Sequence, residues 1–272
     1  MRPTLRSLAS SRVLAYALVA VATVQLLAVT RDYAILGMDS YPAIASGLLH
    51  GPGDVVAIFT SPAVPGRVPY AFHGFYRPIT TISLGIDHAL FGVEPRGYFV
   101  TQALLFGLSS LLLYELARRV IGAATIGPLL ALVTFLLAPS HVETLAVVAR
   151  RSELLCAIFG ALALLIETSR LARDRRSSLL AGLFTFLAVI SKTTGIALVP
   201  AVFVLVVSAT SASIVQRLRA ALLATLPHLG AVVVAFAVQI RLRRRVGGRR
   251  ERASRRRPRA RRRAARPRTA SC

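Results

Sequence analysis

Lysine is almost missing from this chain. Among 272 residues Lys192 stands alone, so the cationic side of the sequence is written in arginine. Tryptophan does not occur, and there are two methionines and two cysteines. Cys156 falls within an apolar run and Cys272 is the last residue, so no disulfide framework is available and the redox compartment is unread. No C-x-x-C or H-E-x-x-H spacing occurs, which removes the common zinc motifs. No cofactor is expected; a divalent metal is compatible with the sequence but not indicated by it. A glycine-rich nucleotide loop is missing as well. Acidic residues are scarce, 11 against 34 Lys+Arg, for a formal net charge of +23.

What is plentiful is hydrocarbon. The chain is 55% hydrophobic, with a mean hydropathy of +0.63. Its apolar runs approach the roughly 20 residues needed to cross a bilayer core of about 30 Å. Lipid offers no partner for unpaired backbone groups, so the expected fold is all-α, a polytopic transmembrane helical bundle of about seven spans. They are placed at 13–30, 98–117, 120–138, 153–167, 179–191, 194–209 and 220–240. The stretch 179–209 is long for one crossing and short for two, so a tight turn at Lys192 to Gly195 is expected. Arg2, Arg6 and Arg12 precede the first run as in an export signal, but 18 apolar residues exceed the signal core of about 7 to 15. An uncleaved first span is the reading.

Charge orients the bundle. With the N-terminus cytoplasmic, the short inside segments hold more arginine than the longer outside ones, where Asp32, Asp39, Asp54, Asp87, Glu94 and Glu143 offset the positive charge. Residues 1–240 are read as the transmembrane unit. Residues 241–272 form an arginine-rich tail holding 16 of the 34 basic residues against Glu251 alone. Such a tail can bind acidic lipid or nucleic acid. Its composition, arginine among Ala, Gly, Pro and Ser and lying outside against the positive-inside bias, instead reads as a disordered, out-of-frame end with no nucleic acid partner.

The long first external loop, 31–97, exceeds ordinary connection lengths. A short interfacial helix is expected after Asp39, and Ile79, Ile82, Ile86 and Leu90 recur at helical spacing, as in a helix lying along the membrane surface. Asp87 and His88 in that helix read as a solvated or tyrosine-bonded face. Between 139 and 153 a second polar insert, PSHVETLAVVARRSE, interrupts two apolar runs. Ionisable groups in such a place are costly to keep without a task. Ser140 and Glu143 fit a capping box, which leaves His141, Arg150, Arg151 and Glu153 to explain. In a continuous helix from Ser140, Glu143 and Arg150 would share a face; Arg150 and Glu153, three apart, can also simply pair.

Taken in order, Asp39 in the first loop, FYRPIT, DHALFGVEPRGYF, LLAPSHVETLAVVARRSELL and SKTTGIALVP resemble the GT-C glycosyltransferases over roughly residues 30 to 208. The nearest likeness is to the bacterial and archaeal relatives of protein O-mannosyltransferases and of the transmembrane and tetratricopeptide-repeat proteins. The resemblance implies a multi-pass enzyme of the cytoplasmic membrane with an external active site. It implies transfer of a mannose-like sugar from a polyprenyl-phosphate carrier to a hydroxyl on protein, lipid or glycan, with membrane lipids as surroundings. Full-length relatives carry further spans, so the chain is expected to be an N-terminal portion.

Such a transfer needs a base for the acceptor hydroxyl and positive charge for the departing phosphate. Asp39 matches the family's acidic position, although Ser40 follows where relatives often carry a second acid; the alternative is a helix cap. Arg77, Arg150, Arg151 and Lys192 are the candidate phosphate contacts, guanidinium offering planar bidentate donors and ammonium a point charge. Anchoring to lipid headgroups is the alternative for each. His73, His141, Glu143 and Glu153 are candidate supporting residues. Two other readings stay open: an inactive or truncated member of the superfamily, and a small-molecule transporter, against which stands the gathering of charge at one interface rather than at mid-span.

Overall fold

The computed structural model describes residues 5–35, 40–60, 76–169, 175–209 and 211–264. Among the described residues it is all-helical. Proline and glycine set several boundaries. Arg77 holds the N-cap position with non-helical backbone angles and Pro78 opens α4 (Pro78–Phe91), where a missing N–H costs nothing and φ is already helical. Gly92 closes α4 at φ +59, its N–H bonded to the His88 carbonyl. Pro95 opens α5 (Pro95–Val120), whose last turn carries Arg118 and Arg119 against the carbonyl end of the helix dipole.

Among the described residues four helices are long and apolar enough to cross a membrane: Ser11–Thr30 within α1 (Leu5–Thr30), α5, Val148–Ser169 including α8 (Arg151–Ser169), and Ile214–Leu242 within α11 (Ile214–Ala264). The remaining three expected spans coincide with shorter apolar helices, α6 (Gly127–Leu136), α9 (Arg175–Ser191) and the segment Thr193–Ala209 containing α10 (Leu198–Ala209). Each of these three is shorter than the 18 residues that a crossing asks for, so four long helices are seen where seven spans were expected. The turn between α9 and α10 is where the sequence placed it: Lys192 is extended and a 3₁₀ turn covers Thr193–Ala197.

Side-chain contacts give the directions. Tyr114 donates to the Ser11 carbonyl at 3.1 Å while Arg96 Nε donates to that of Arg31 at 3.1 Å, so α1 and α5 are antiparallel. Arg151 reaches Tyr98, and Arg119 reaches the Leu165 carbonyl at 2.7 Å, so α5 and α8 run parallel. Between them α6 returns the chain. Lys192 meets Glu153 at 2.9 Å, making α8 and α9 antiparallel. One end of the bundle therefore gathers the end of α1, the starts of α5 and α8, and the α9–α10 turn.

The first loop folds onto that end. It forms α2 (Ser40–Ser46) and α3 (Pro52–Thr60), as well as α4. α2 and α4 cross at Gly47 and Gly85, where a Cβ on Gly47 would stand 2.5 Å from the Thr81 carbonyl oxygen and one on Gly85 would strike the Gly47 carbonyl. Ile35, Ile44, Leu84, Tyr98, Phe99 and Val148 close a buried cluster beneath them. The expected surface helix is present, and it turns Ile86 and Leu90 outward while Thr80, Leu84, Gly85 and Asp87 are buried. An apolar outer face suits a helix lying on lipid.

α11 continues as helix to Ala264, so the segment expected to be disordered after 240 is helical up to that residue.

Candidate functional site

The polar insert does not form the continuous helix assumed for it. α7 (Ser140–Ala146) stops at Val147, which is extended, a 3₁₀ turn spans Val148–Arg150, and α8 begins at Arg151. The capping box is not made: Pro139 holds the N-cap position, no side chain caps the helix, and Glu143 pairs with Arg150 at 2.9 Å. The break turns Arg150 and Arg151, adjacent in sequence, to different fates.

Arg151 is fully buried and committed to the protein. Its Nη2 lies 2.6 Å from Asp87 Oδ2 and donates to the Tyr98 carbonyl; Nε donates to Gln102 Oε1, and Nη1 to Ser83 Oγ and its carbonyl. Thr101 donates to Asp87 Oδ1 at 2.8 Å. Burial pushes the Asp87 carboxyl up, and Arg151 and Thr101 act against that shift. The geometry therefore speaks against Arg151 as a phosphate contact, since every one of its nitrogens is occupied within the fold. Asp87, read from the sequence as a solvated face, is 3% exposed; His88 beside it does meet a tyrosine, its Nδ1 3.2 Å from the Tyr98 hydroxyl. Gln102 and Ser83 were missed by sequence reasoning. A glutamine inside the apolar run of α5 was the available signal.

Arg150 and the other two cations gather around Glu153. Lys192 Nζ stands 2.9 Å from its Oε1 and Arg150 Nη1 3.7 Å from the same oxygen, while Thr144 Oγ1 donates to Oε2 at 3.2 Å. Arg77 donates to Ser152 Oγ at 3.3 Å, next to Glu153 in sequence. Burial draws the Arg77 guanidinium below its ordinary range, and the Glu153 carboxylate opposes this. Thr144 is itself fixed, its carbonyl accepting from Gln102 Nε2 at 2.6 Å. His141 packs edge-on to Phe106 and Phe135, with centroids at 5.0 and 4.5 Å, and burial lowers its pKa.

Three cations thus come from three separate elements: the start of α4, the turn before α8 and the turn after α9. Glu153 and Lys192 remain partly open, with side chains 32% and 24% exposed. Asp39 and His73 lie outside the described residues. Ser40, immediately after Asp39, is buried at the start of α2, and α2 packs on α4 and on the Val148–Arg150 turn. Among the described residues no group of three or more His, Cys, Asp and Glu could hold a metal ion.

A helical membrane protein with a polar, cation-bearing end to its bundle is the class these features define. The chain belongs to the dolichyl-phosphate-mannose-protein mannosyltransferase family, whose model matches residues 78–240. Protein O-mannosyl-transferase TMTC4 of Mus musculus is 33% identical over 106 residues, a match covering 34% of this chain and 14% of the relative. No solved structure matches. The family match begins at α4 and takes in the whole cation cluster except Arg77, which directly precedes it.

Proposed function

We propose that this protein transfers a mannose-like sugar from a polyprenyl-phosphate carrier to a hydroxyl of a protein, or of a lipid or glycan, at the external face of the membrane. The observation that carries this reading is the convergence of Arg77, Arg150 and Lys192 on one end of an apolar bundle. There a lipid tail can stay in hydrocarbon while its phosphate meets cations. In the step, a bond forms between the sugar's anomeric carbon and the acceptor oxygen, and the bond from that carbon to the phosphate oxygen breaks. The electron pair leaves with the phosphate, and the hydroxyl proton passes to Asp39. Arg77, Arg150 and Lys192 stabilise the charge that develops on the leaving oxygen.

The test is transfer in membranes containing the full chain, with a polyprenyl-phosphate mannose donor and a hydroxyl-bearing peptide. Asp39→Asn should lower transfer by about 10² to 10⁴, the usual worth of a positioned base. Undiminished transfer would remove Asp39 from the mechanism. A wild-type chain that binds donor yet gives no product would favour a non-catalytic member of the family.

A further inference from the structure

We infer that Glu153 is a built-in competitor for the carrier's phosphate, a carboxylate that occupies the cations while the site is empty and returns to expel the spent carrier. This rests on the reading of Arg77, Arg150 and Lys192 as phosphate contacts. Glu153 holds Lys192 at 2.9 Å and Arg150 at 3.7 Å through one oxygen, and its charge is felt by Arg77. Its second oxygen accepts from Thr144 at 3.2 Å, which gives the carboxylate a resting partner besides the cations. Arg150 has a second counter-ion, Glu143, at 2.9 Å.

An anion arriving at Lys192 must therefore take it from Glu153, and at Arg150 it meets both Glu143 and Glu153. The cost is modest, because ion pairs this exposed are individually weak. The return has a direction as well. In the donor the phosphate is a diester with one negative charge, whereas breaking the sugar–oxygen bond leaves a monoester able to carry a second. The product is therefore the better anion, and a cationic site without its own carboxylate would hold it. Glu153 offsets that tendency. It draws Lys192 and Arg150 back for the next cycle, and with Glu143 it leaves the empty site with an excess of only one positive charge.

The sign of this effect separates it from a structural role. If Glu153 merely supported the fold, replacing it would weaken binding. If it competes, Glu153→Gln, which keeps an oxygen to accept from Thr144, should bind polyprenyl phosphate roughly fivefold tighter. It should also lower KM for the donor, lower kcat, and deepen inhibition by added polyprenyl phosphate. The measurement is binding of polyprenyl phosphate to the full chain in nanodiscs, with Lys192→Met as the arm that should lose affinity. Folding of each variant is followed by melting in the same nanodiscs. Should the Gln variant not hold its fold, Glu153→Asp withdraws the charge by one methylene and should tighten binding by a smaller factor. Weaker or unchanged binding in a folded Glu153 variant, with wild type binding and Lys192→Met losing it, overturns the competitor alone. No binding by folded wild type overturns both this inference and the phosphate site beneath it.

Discussion

Arg150 and Arg151 are identical in type and adjacent in sequence, yet one faces the opening and the other fills the interior. Arg150 closes the 3₁₀ turn that follows an interruption of the helix at Val147, which no pattern of side chains signals, while Arg151 opens α8. Arg151 is held in a pocket of carbonyls, Gln102 and Asp87, and is wholly buried. Breaking such a pair leaves an uncompensated charge, so Arg151→Ala should cost about 3 to 5 kcal/mol, read as a fall in melting temperature in detergent. Removing both charges together, as Asp87→Leu with Arg151→Met, should cost less than either single change, because no ion is then stranded. His141 makes a different prediction. Its folded pKa is depressed by burial beside Phe106 and Phe135, so the fold favours the neutral ring. That contribution is complete above the ordinary histidine value of about 6.5 and is lost as pH falls through the lower folded value. Melting of wild type should therefore drop more between pH 7.5 and 5 than melting of His141→Phe.

At the scale of elements, most of the helices were legible because period and punctuation agree. The Ile79, Ile82, Ile86, Leu90 pattern announced α4, and Pro78, Gly92 and Pro95 set its ends and the start of α5. The pattern could not say which face is buried. The face that docks carries Thr80, Leu84 and Asp87, while Ile86 and Leu90 of the pattern look out. The capping box at Ser140 failed for a related reason: Glu143 found a stronger partner in Arg150 than in a backbone N–H. The crossing of α2 on α4 was not legible either, since two glycines in separate segments carry no mutual signal. Gly85→Ala places a methyl against the Gly47 carbonyl and should push α2 away. Because α2 follows Asp39 directly, transfer should fall well beyond any change in melting temperature, a comparison made on the same purified sample.

At the scale of the whole molecule, composition alone specified a helical membrane protein, and it could do so because hydrocarbon length is a strict requirement. Span count is weaker. Among the described residues four helices meet the length of a crossing and three apolar helices fall short of it, the last two joined by the turn at Lys192. The proposed orientation, with the end bearing the cation cluster outside, has a simple check. In a chain whose Cys156 and Cys272 are replaced by serine, Tyr33→Cys at the cluster end should react with an impermeant thiol reagent in intact cells. Ile214→Cys, at the other end, should react only after permeabilisation. The reverse pattern would place the cation cluster on the cytoplasmic face.

Lys192 sits in an extended residue between two helices, three-quarters shielded and held by a carboxylate. As the sole lysine, it is the one side-chain amine for an acylating reagent to find, apart from the chain's own amino terminus. The protein therefore carries a native chemical reporter in the cluster itself. The rate at which an acyl group is added to Lys192, followed by the mass of the proteolytic peptide that bears it, reads the occupancy of these cations without any substitution.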